Sequence, residues 1–363
     1  MKLATKTLKV RVKDKHAKRL SAMSRSVNFV WNYINELSER SIRERGKFLS
    51  GYDLQGYTKG AGKELNLNSA TLQMIGHEYV TRRKQFKKRK LNWRSSNGAR
   101  RSLGWIPVRS DCVSYKSGQI FHNGQYYKIW DSYGLSGYKF KSGSFNEDAR
   151  GRWYFNVVVE VEAERSKGTA SVGVDLGCKE TATDSNGDGV KGREYRKLEK
   201  QLGIAQRARN KRQVKTLHAK IKNRRADALH KYSRKLVNEN AAIFVGNVSS
   251  KKLVKTKMAK SVLDAGWSEL KRMLEYKCDH AGIHFEEVNE SYTSVTCSCC
   301  NKRTGPSGLE GLRIREWTCA QCGTMHNRDV NAAVNIKNIG LNILALGHER
   351  LAAGIPDYSR SAA

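Results

Sequence analysis

The spacing of four cysteines near the C-terminal end constrains this chain more than any other feature of its sequence. Cys297, Cys300, Cys319 and Cys322 form two CxxC pairs that are separated by 18 residues. Two such pairs offer four thiolates to one tetrahedral Zn²⁺ at about 2.3 Å, as in a zinc ribbon. Cys299 competes with Cys300 for the first pair, and Cys300 is favoured because it completes CxxC with Cys297. Four thiolates leave no open coordination position, so the spacing predicts one structural zinc ion.

The remaining cysteine usage indicates a reducing compartment. Eight cysteines occur in 363 residues, and five of them lie between 297 and 322. In a large chain this clustering is typical of metal binding and not of a disulfide framework. The N-terminal residues lack the apolar stretch of a secretory signal, and no run approaches the about 18 apolar residues of a membrane helix. We therefore expect a cytoplasmic protein without a membrane partner, and we expect His326 at the surface and not on the zinc.

The charge balance predicts a nucleic-acid partner. Lys and Arg total 68 against 34 Asp and Glu, which gives a formal net charge of +34. Self-repulsion of this size disfavours a compact fold unless a polyanion neutralises part of it. Residues 82–89 form the first basic run, and one or two of its cations suit the C-terminus of a helix. For nearby Tyr79 and Trp93 we expect packing in preference to stacking on bases. The residues predicted to contact phosphates are Arg82, Arg83, Lys87, Lys88, Arg89, Arg207, Arg209, Arg212 and Lys215.

Hydrophobic periodicity predicts a β-rich part with a helical insertion, followed by an α/β part. Apolar residues alternate with cations over 8–12, which predicts a strand, and they share helical faces over 20–37 and 72–86. Glycine-punctuated strands over 103–161 would close a small β-barrel around this insertion. From 171 onward strands alternate with helices, which is typical of an α/β sheet.

Two carboxylates stand at the ends of elements in the α/β part. Asp175 ends the apolar strand SVGVD, and Asp329 begins the last helix. A buried charge is costly unless it binds a metal or finds partners, whereas Asp329 alone would equally suit a helix N-terminus. In so basic a chain, carboxylates at strand ends suggest Mg²⁺ sites for phosphodiester chemistry, where two metals are held about 3.5–4 Å apart.

Five segments together resemble the TnpB family of transposon-encoded RNA-guided nucleases, which are related to type V CRISPR effectors. The resemblance covers about 170–340, and the N-terminal half is similar only in its architecture. The segments are GVDLG at 173–177, NRRADALHKYSRKLV at 223–237, the GW…LEYK helix at 266–277, YTSVTCSCC at 292–300 and CGTMHNRDVNAAVNI at 322–336.

The resemblance implies a multidomain α/β protein with an RNase H-like (RuvC) nuclease domain and an inserted zinc ribbon, plus a small β-barrel that carries an inserted helical domain. The implied ranges are 1–13 and 102–166 for the wedge-like barrel, 14–101 for the helical recognition domain, 170–296 and 324–345 for the nuclease domain, 297–323 for the ribbon and 346–363 for a tail.

The implied activity is cutting of double-stranded target DNA beside a short transposon-adjacent motif, with a guide RNA from the transposon end supplying the sequence by base pairing. The cofactors would be two Mg²⁺ per active site and one structural Zn²⁺. The alternatives are a guide-directed DNA-binding repressor that lost cleavage, and a junction-resolving nuclease that uses no RNA. The sequence leaves the oligomeric state open.

The middle carboxylate of the family's site is missing. This chain has IFVGNVSS where the family has a Glu-Asp-Leu type motif, so Gly246 stands in place of the glutamate. Parallel strands lie about 4.8 Å apart and share their C-terminal edge, so a side chain just past the third strand can reach over Gly246. Glu290 is the predicted substitute, which makes Asp175, Glu290 and Asp329 the predicted catalytic and magnesium-binding set. An inactive nuclease remains open, as do the other acids Asp264, Glu269, Glu286 and Glu287.

Overall fold

The chain divides into two units, Met1–Glu162 and Ala163–Ala363. The computed structural model describes residues 3–193, 196–248, 259–311 and 313–352. Most of the predicted tail at 346–363 therefore lies outside the described residues, as do the first two residues of the predicted barrel. The finer domain boundaries stay predictions.

An antiparallel sheet of seven strands forms the β part of the first unit, in the order β2-β6-β7-β1-β5-β4-β3. Side-chain alternation explains the central strand, because Leu8 and Val10 are buried in the core whereas Lys9 between them is exposed. The strands are β1 Leu3–Val12, β2 Trp105–Arg109, β3 Val113–Lys116, β4 Gln119–His122, β5 Gln125–Trp130, β6 Phe140–Glu147 and β7 Trp153–Glu162.

Helices of the same unit lie between β1 and β2 along the chain. The apolar face of the first one buries Leu20, Val27 and Ile34 in the core that the sheet also lines. The last of them begins after Asn68, whose side chain accepts a hydrogen bond from the Thr71 amide at 2.7 Å and caps the helix. The helices are α1 Ala17–Arg45, α2 Gly51–Thr58, α3 Gly62–Leu65 and α4 Ser69–Gln85.

A five-stranded sheet forms the centre of the second unit, in the order β10-β9-β8-β11-β12. The three strands β8, β11 and β12 are parallel, and Gly246 pairs with Val288. Their C-terminal ends therefore meet at one edge of the sheet, as the sequence predicted. The strands are β8 Ala170–Asp175, β9 Glu180–Asp184, β10 Gly189–Lys191, β11 Asn240–Gly246 and β12 His284–Val288.

Helices cover both faces of this sheet. On one face Leu236 and Leu270 pack against Val245, and on the other Ile336 packs against Phe244. The last helix approaches β8 closely, because a Cβ at Gly173 would overlap the Ala333 carbonyl oxygen. The helices are α5 Arg196–Arg207, α6 Lys211–Glu239, α7 Ala259–Ala265, α8 Trp267–Ala281, α9 Gly308–Gly311 and α10 Arg328–Ala352.

A small excursion between β12 and α10 carries the two-stranded pair β13 Glu316–Thr318 and β14 Met325–Asn327. Its buried core consists of Cys297, Trp317 and Cys319. So few apolar residues give little burial energy, which is the usual reason that such excursions depend on a metal.

Candidate active site and metal centre

The three predicted acids come from three elements of the second unit. Asp175 is the last residue of β8, Glu290 lies two residues beyond β12, and Asp329 is in the first turn of α10. Parallel pairing places the ends of β8 and β12 on either side of β11, and the packing of α10 on β8 places its first turn near Asp175. The three carboxylates consequently lie close enough for the charges of Glu290 and Asp329 to act on Asp175.

Glu290 occupies the space above Gly246. A Cβ built on Gly246 would overlap the Glu290 Oε2 atom and would lie 3.2 Å from both its Cβ and its Cδ. The glutamate therefore fills the volume that a side chain at position 246 would otherwise take. Its Oε2 is buried and has no hydrogen-bond partner among the described residues, which is costly for a carboxylate oxygen and typical of a metal ligand.

The surroundings perturb the protonation of Asp175. Burial and, after it, the like charges of Glu290 and Asp329 together raise the pKa of Asp175 to about 7, against the opposing charges of Arg328 and Arg315. Carboxylates that are brought together in a poorly solvated place repel one another unless a cation lies between them. Mg²⁺ prefers oxygen ligands of this kind, so the acids suit magnesium in their chemistry, although their oxygens do not gather as tightly as the four cysteine sulfurs do.

Burial also raises the pKa of Glu290, against the charge of Lys271 and the hydrogen bond from the Val248 amide. The lysine itself forms an ion pair with Glu287 at 2.6 Å. Lys271 thus contributes positive potential at this end of the site without neutralising Glu290.

Two arginines that the sequence did not indicate hold the Asp329 side of the site. Arg315 donates two hydrogen bonds from Nη1 to the Asp329 carboxylate, at 2.7 and 2.9 Å. Arg328 is buried, and it donates through Nη1 to the Gly311 carbonyl at 2.5 Å and through its amide to the Arg315 carbonyl at 2.7 Å. Arginine is so common in this chain that neither position stands out in the sequence.

The other acids that the sequence left open are engaged elsewhere. Glu287 pairs with Lys271, and Glu286 lies 3.1 Å from His284 Nε2. On the helices, Glu269 lies 3.7 Å from Arg225 Nε, and Asp264 is buried in α7. The acids whose charges act on Asp175 are Glu290 and Asp329, so the geometry favours Glu290 as the third member.

The four predicted cysteines form a candidate metal centre in the small excursion. Their sulfur atoms all lie within 4.8 Å of one another, and among the described residues no other group of three or more potential ligands meets this geometry. The Cys297–Cys322 and Cys300–Cys319 sulfur pairs are each 3.6 Å apart. The set fits one tetrahedral zinc ion, and exposed Cys299 lies outside it, which agrees with the choice of Cys300.

The expectation for His326 was wrong in its position. His326 is buried, its Nε2 lies 3.0 Å from Cys297 Sγ, and its ring packs on Trp317 at 4.7 Å between centroids. Pairing of β13 with β14 places His326 opposite Trp317, and this turns the imidazole inward. The histidine therefore orients a thiolate from outside the ligand set.

Of the residues predicted to contact phosphates in the first basic run, some are exposed and one is buried. The prediction that Arg83 contacts phosphates was wrong, because this residue falls on the inner face of α4 and is buried. It donates to Ser38 Oγ at 2.5 Å and to the Leu49 carbonyl at 2.8 Å. Arg82 is exposed but paired with Glu78 at 2.6 Å. The other predicted residues are exposed: Lys87, Lys88, Arg89, Arg207, Arg209, Arg212 and Lys215.

The two aromatic residues beside the first run also differ. Tyr79 is fully buried and donates its hydroxyl to Asn35 Oδ1 at 3.2 Å, so the expected packing is confirmed. Trp93 is 56% exposed, and the expectation of packing was wrong for it. Across the described residues, no helix is both long and apolar enough for a bilayer.

Comparison with known proteins gives family matches that lie almost entirely in the second unit. A family model described as a Cas12f1-like TNB domain matches 267–336, and one described as a probable transposase matches 154–257. The chain is 34% identical over 218 residues to a candidate RNA-guided DNA endonuclease of Streptomyces pristinaespiralis, covering 56% of this chain and 53% of that protein. It is 30% identical over 135 residues to a TnpB-like protein of Methanocaldococcus jannaschii, covering 34% and 47%.

One solved structure has a similar overall fold. It is the Cas12f1 chain of a complex with guide RNA and target DNA, with a TM-score of 0.58 at 14% identity over 93% of this chain and 99% of that one. The resemblance to TnpB-like proteins that the sequence motifs indicated is thereby confirmed, together with a multidomain α/β fold that carries a zinc-finger-like cysteine cluster. The chain spans about half the length of the curated relatives it matches.

Proposed function

We propose that this TnpB-like chain is an RNA-guided DNA endonuclease of a transposon, which cuts double-stranded DNA beside a short transposon-adjacent motif. The observation that carries the proposal is the side chain of Glu290 above Gly246, at the same sheet edge as Asp175. An acid at this place replaces the carboxylate that the second strand lacks. Without it, the alternative of a guide-directed DNA-binding protein without cleavage would be favoured.

The second unit would be an RNase H-like (RuvC) nuclease domain. Support comes from three parallel strands with an antiparallel hairpin at one edge, helices on both faces, and acids at the C-terminal edge. The small excursion would be its inserted zinc ribbon. The sheet of the first unit would be the wedge-like barrel, with α1 to α4 as the inserted recognition domain.

Asp175, Glu290 and Asp329 would hold two Mg²⁺ ions, which in such sites activate a water molecule and stabilise the leaving oxygen of a phosphodiester. The chain's own residues account for the rest of the site. Glu290 presents an oxygen that has no hydrogen-bond partner among the described residues. Arg315 holds the Asp329 carboxylate in one orientation through two hydrogen bonds.

A guide RNA from the transposon end and a target DNA would be the partners. The names of the matched relatives, which describe RNA-guided DNA endonucleases, support both. Seven of the nine cations predicted to contact phosphates are exposed, and the ion pairs between described residues do not include them, which would leave them available for a polyanion.

The experiment that tests the proposal is Glu290→Gln in the full chain with its guide RNA. The substitution removes a metal-binding charge and keeps the size of the side chain, so guide-dependent binding to target DNA should persist in a gel-shift assay. Cleavage in Mg²⁺ should fall as far as in Asp175→Ala or Asp329→Ala, because a metal cluster acts as a unit and its losses do not add.

Glu287→Gln is the matched control, since Glu287 lies on β12, is exposed and forms an ion pair with Lys271 among the described residues. It should retain cleavage. Full cleavage by the Glu290 variant would remove Glu290 from the site, and absence of cleavage in the unaltered protein would favour the binding-only alternative.

A further inference from the structure

Two asparagines of α10 are buried beside the candidate active site. Asn331 and Asn335 are 2% and 7% exposed, and they share one face of the helix because residues four apart are neighbours on its surface. Asn331 follows Asp329 by two residues, so one helix carries the acid and both amides. Asparagine is unfavourable inside helices, and a buried amide is costly unless it is hydrogen-bonded. Two of them on one buried face therefore indicate a specific role.

The two side chains bind the same pair of backbone carbonyls. Asn331 Nδ2 donates to the Thr293 carbonyl at 3.2 Å and to the Thr296 carbonyl at 2.7 Å. Asn335 Nδ2 donates to the same two carbonyls at 2.8 and 2.7 Å. An amide nitrogen has two hydrogens and a carbonyl oxygen can accept two hydrogen bonds. The four bonds therefore use both hydrogens of each amide, and each carbonyl accepts one bond from each asparagine.

One of these carbonyls belongs to the residue that fixes the backbone of Glu290. The Thr293 amide and hydroxyl both donate to the Glu290 carbonyl, at 3.2 and 2.8 Å. Hydrogen bonds thus lead from the helix that bears Asp329, through Thr293, to the backbone of Glu290. Because the backbone position of Glu290 limits where its side chain can reach, these bonds also set the separation of the Glu290 and Asp329 carboxylates.

The same asparagines hold the backbone on both sides of the first cysteine of the candidate metal centre. Asn331 Oδ1 accepts a hydrogen bond from the Ser298 amide at 2.9 Å, and the Thr296 carbonyl precedes Cys297 in the chain. The bonds to Thr296 and Ser298 can support the cysteine segment alone. The bonds to Thr293 act on Glu290, so an experiment can separate the two roles.

We propose that Asn331 and Asn335 are positioning residues of the candidate active site. They hold the turn that follows Glu290 against the helix that carries Asp329, and they thereby set the spacing at which the two carboxylates meet a divalent metal ion. This assignment rests on the proposed function. Replacing a side chain that orients metal ligands from outside the ligand set typically changes metal affinity or activity by about 10- to 100-fold.

The shared carbonyls predict that each asparagine partly compensates for loss of the other. In Asn331→Leu or Asn335→Leu, each carbonyl keeps one asparagine donor, and leucine nearly preserves the shape of the side chain. In the double variant both buried carbonyls lose both of these donors, which is costly and lets the turn shift. Each single variant should weaken metal binding by less than about 10-fold and the double variant by about 100-fold, more than the two single effects combined.

The test uses the full chain with its guide RNA and two measurements. Calorimetric titration with Mn²⁺, which suits the same carboxylate ligands as Mg²⁺, gives the dissociation constant of the site, and the Asp175→Ala complex gives the background from ions bound to the RNA. Single-turnover cleavage gives the rate at saturating target DNA. In the double variant the Mn²⁺ dissociation constant should rise and the rate should fall, each by about 100-fold. The DNA concentration at half-maximal rate should be unchanged.

Two control variants separate positioning from general loss of stability. Asn338→Leu, exposed on the same helix, should bind Mn²⁺ as the unaltered protein does. Asn240 is buried at the opposite end of β11 from Gly246, and its Nδ2 donates to the Leu236 carbonyl at 2.8 Å. Asn240→Leu should lower the melting temperature and leave the Mn²⁺ dissociation constant unchanged. Every variant should keep one zinc ion per chain by atomic emission.

Unchanged Mn²⁺ affinity in the folded double variant would overturn the proposal. Loss of zinc with unchanged Mn²⁺ affinity would also overturn it, because the asparagines would then support only the cysteine segment. If the double variant does not fold, Asn335→Leu decides, since it leaves the Ser298 bond intact: an unchanged Mn²⁺ dissociation constant there would overturn the proposal.

The proposed function can fail separately from this inference. A complex that does not cut DNA, but binds Mn²⁺ with a dependence on Asp175 and on both asparagines, would refute the proposed function and leave the positioning role standing. A complex that cuts DNA equally well with and without both asparagines would refute the positioning role alone. Absence of Mn²⁺ binding that depends on Asp175 would refute both.

Discussion

Gly246→Ala perturbs the candidate active site through a single methyl group. A Cβ at this position would overlap Glu290 Oε2, whereas contacts below 3 Å essentially never occur for real Cβ atoms. The carboxylate therefore has to retreat by about 1 Å, and it can do so because it is the end of a flexible side chain. We expect the fold to survive and the position of Glu290 to change.

The size of the effect follows from this displacement. A shift of about 1 Å in a group that positions the chemistry costs roughly 10²-fold in rate. Guide-dependent binding of DNA should be unchanged, because Gly246 lies at the acidic sheet edge and not among the exposed cations. The Mg²⁺ concentration needed for half-maximal cleavage should rise, since one ligand no longer meets the metal at its preferred distance.

The assay is single-turnover cleavage of a target duplex against Mg²⁺ concentration, with circular dichroism and thermal melting of each variant. Gly203→Ala is the matched control, because it lies on α5 and a Cβ there meets only Arg207 Nη1 at 3.4 Å. The double variant Gly246→Glu with Glu290→Gly returns an acid to the second strand and should recover part of the activity. Unaltered cleavage by Gly246→Ala would refute the assignment of Glu290 to the metal site.

Three further predictions concern other parts of the chain. Cys319→Ser should contain no zinc when measured by atomic emission, and its ribbon should unfold locally. Cys299→Ser, outside the ligand set, should keep one zinc ion per chain. Arg83→Ala should lower the melting temperature because it leaves Ser38 and the Leu49 carbonyl unpaired. By contrast, alanine at the three exposed cations Lys87, Lys88 and Arg89 should weaken RNA binding. It should also reduce the salt dependence of that binding by about 0.7–0.9 per lost contact. Burial lowers the pKa of Lys277 to about 8, so the unfolded chain binds more protons at this residue between pH 8 and 10.5, and Lys277 contributes a rise in stability with pH of about 3 kcal/mol over that window. In Lys277→Met this rise should be absent from the pH dependence of chemical denaturation, and an identical dependence in both proteins would contradict the burial argument.

Local rules predicted the parts of this protein in which residues near in sequence act together. The CxxC spacing predicted the cysteine cluster because two thiolates three residues apart can bind the same ion, and the sulfur atoms of the four cysteines lie within 4.8 Å of one another. The alternation in β1 followed in the same way from the two-residue period of a strand.

The prediction of Glu290 depended partly on the sequence and partly on the general geometry of parallel sheets. The sequence showed that Gly246 lacked a carboxylate and that the third strand ended beside it, and general sheet geometry supplied the rest. Only the folded structure shows that the Glu290 carboxylate lies over Gly246 and that one of its oxygens lacks a hydrogen-bond partner among the described residues.

Only the tertiary structure decided which of the many arginines and histidines are inside. Arg83 is buried and Lys87 is exposed although both belong to one basic run, because the helix phase and the end of α4 turn them to different sides. Arg315 reaches Asp329 and His326 reaches Cys297 through the folding of the excursion between β12 and α10. The identity of a charged residue in the sequence does not tell whether its side chain faces the core or the solvent. Its role therefore depends on contacts between residues far apart in the chain.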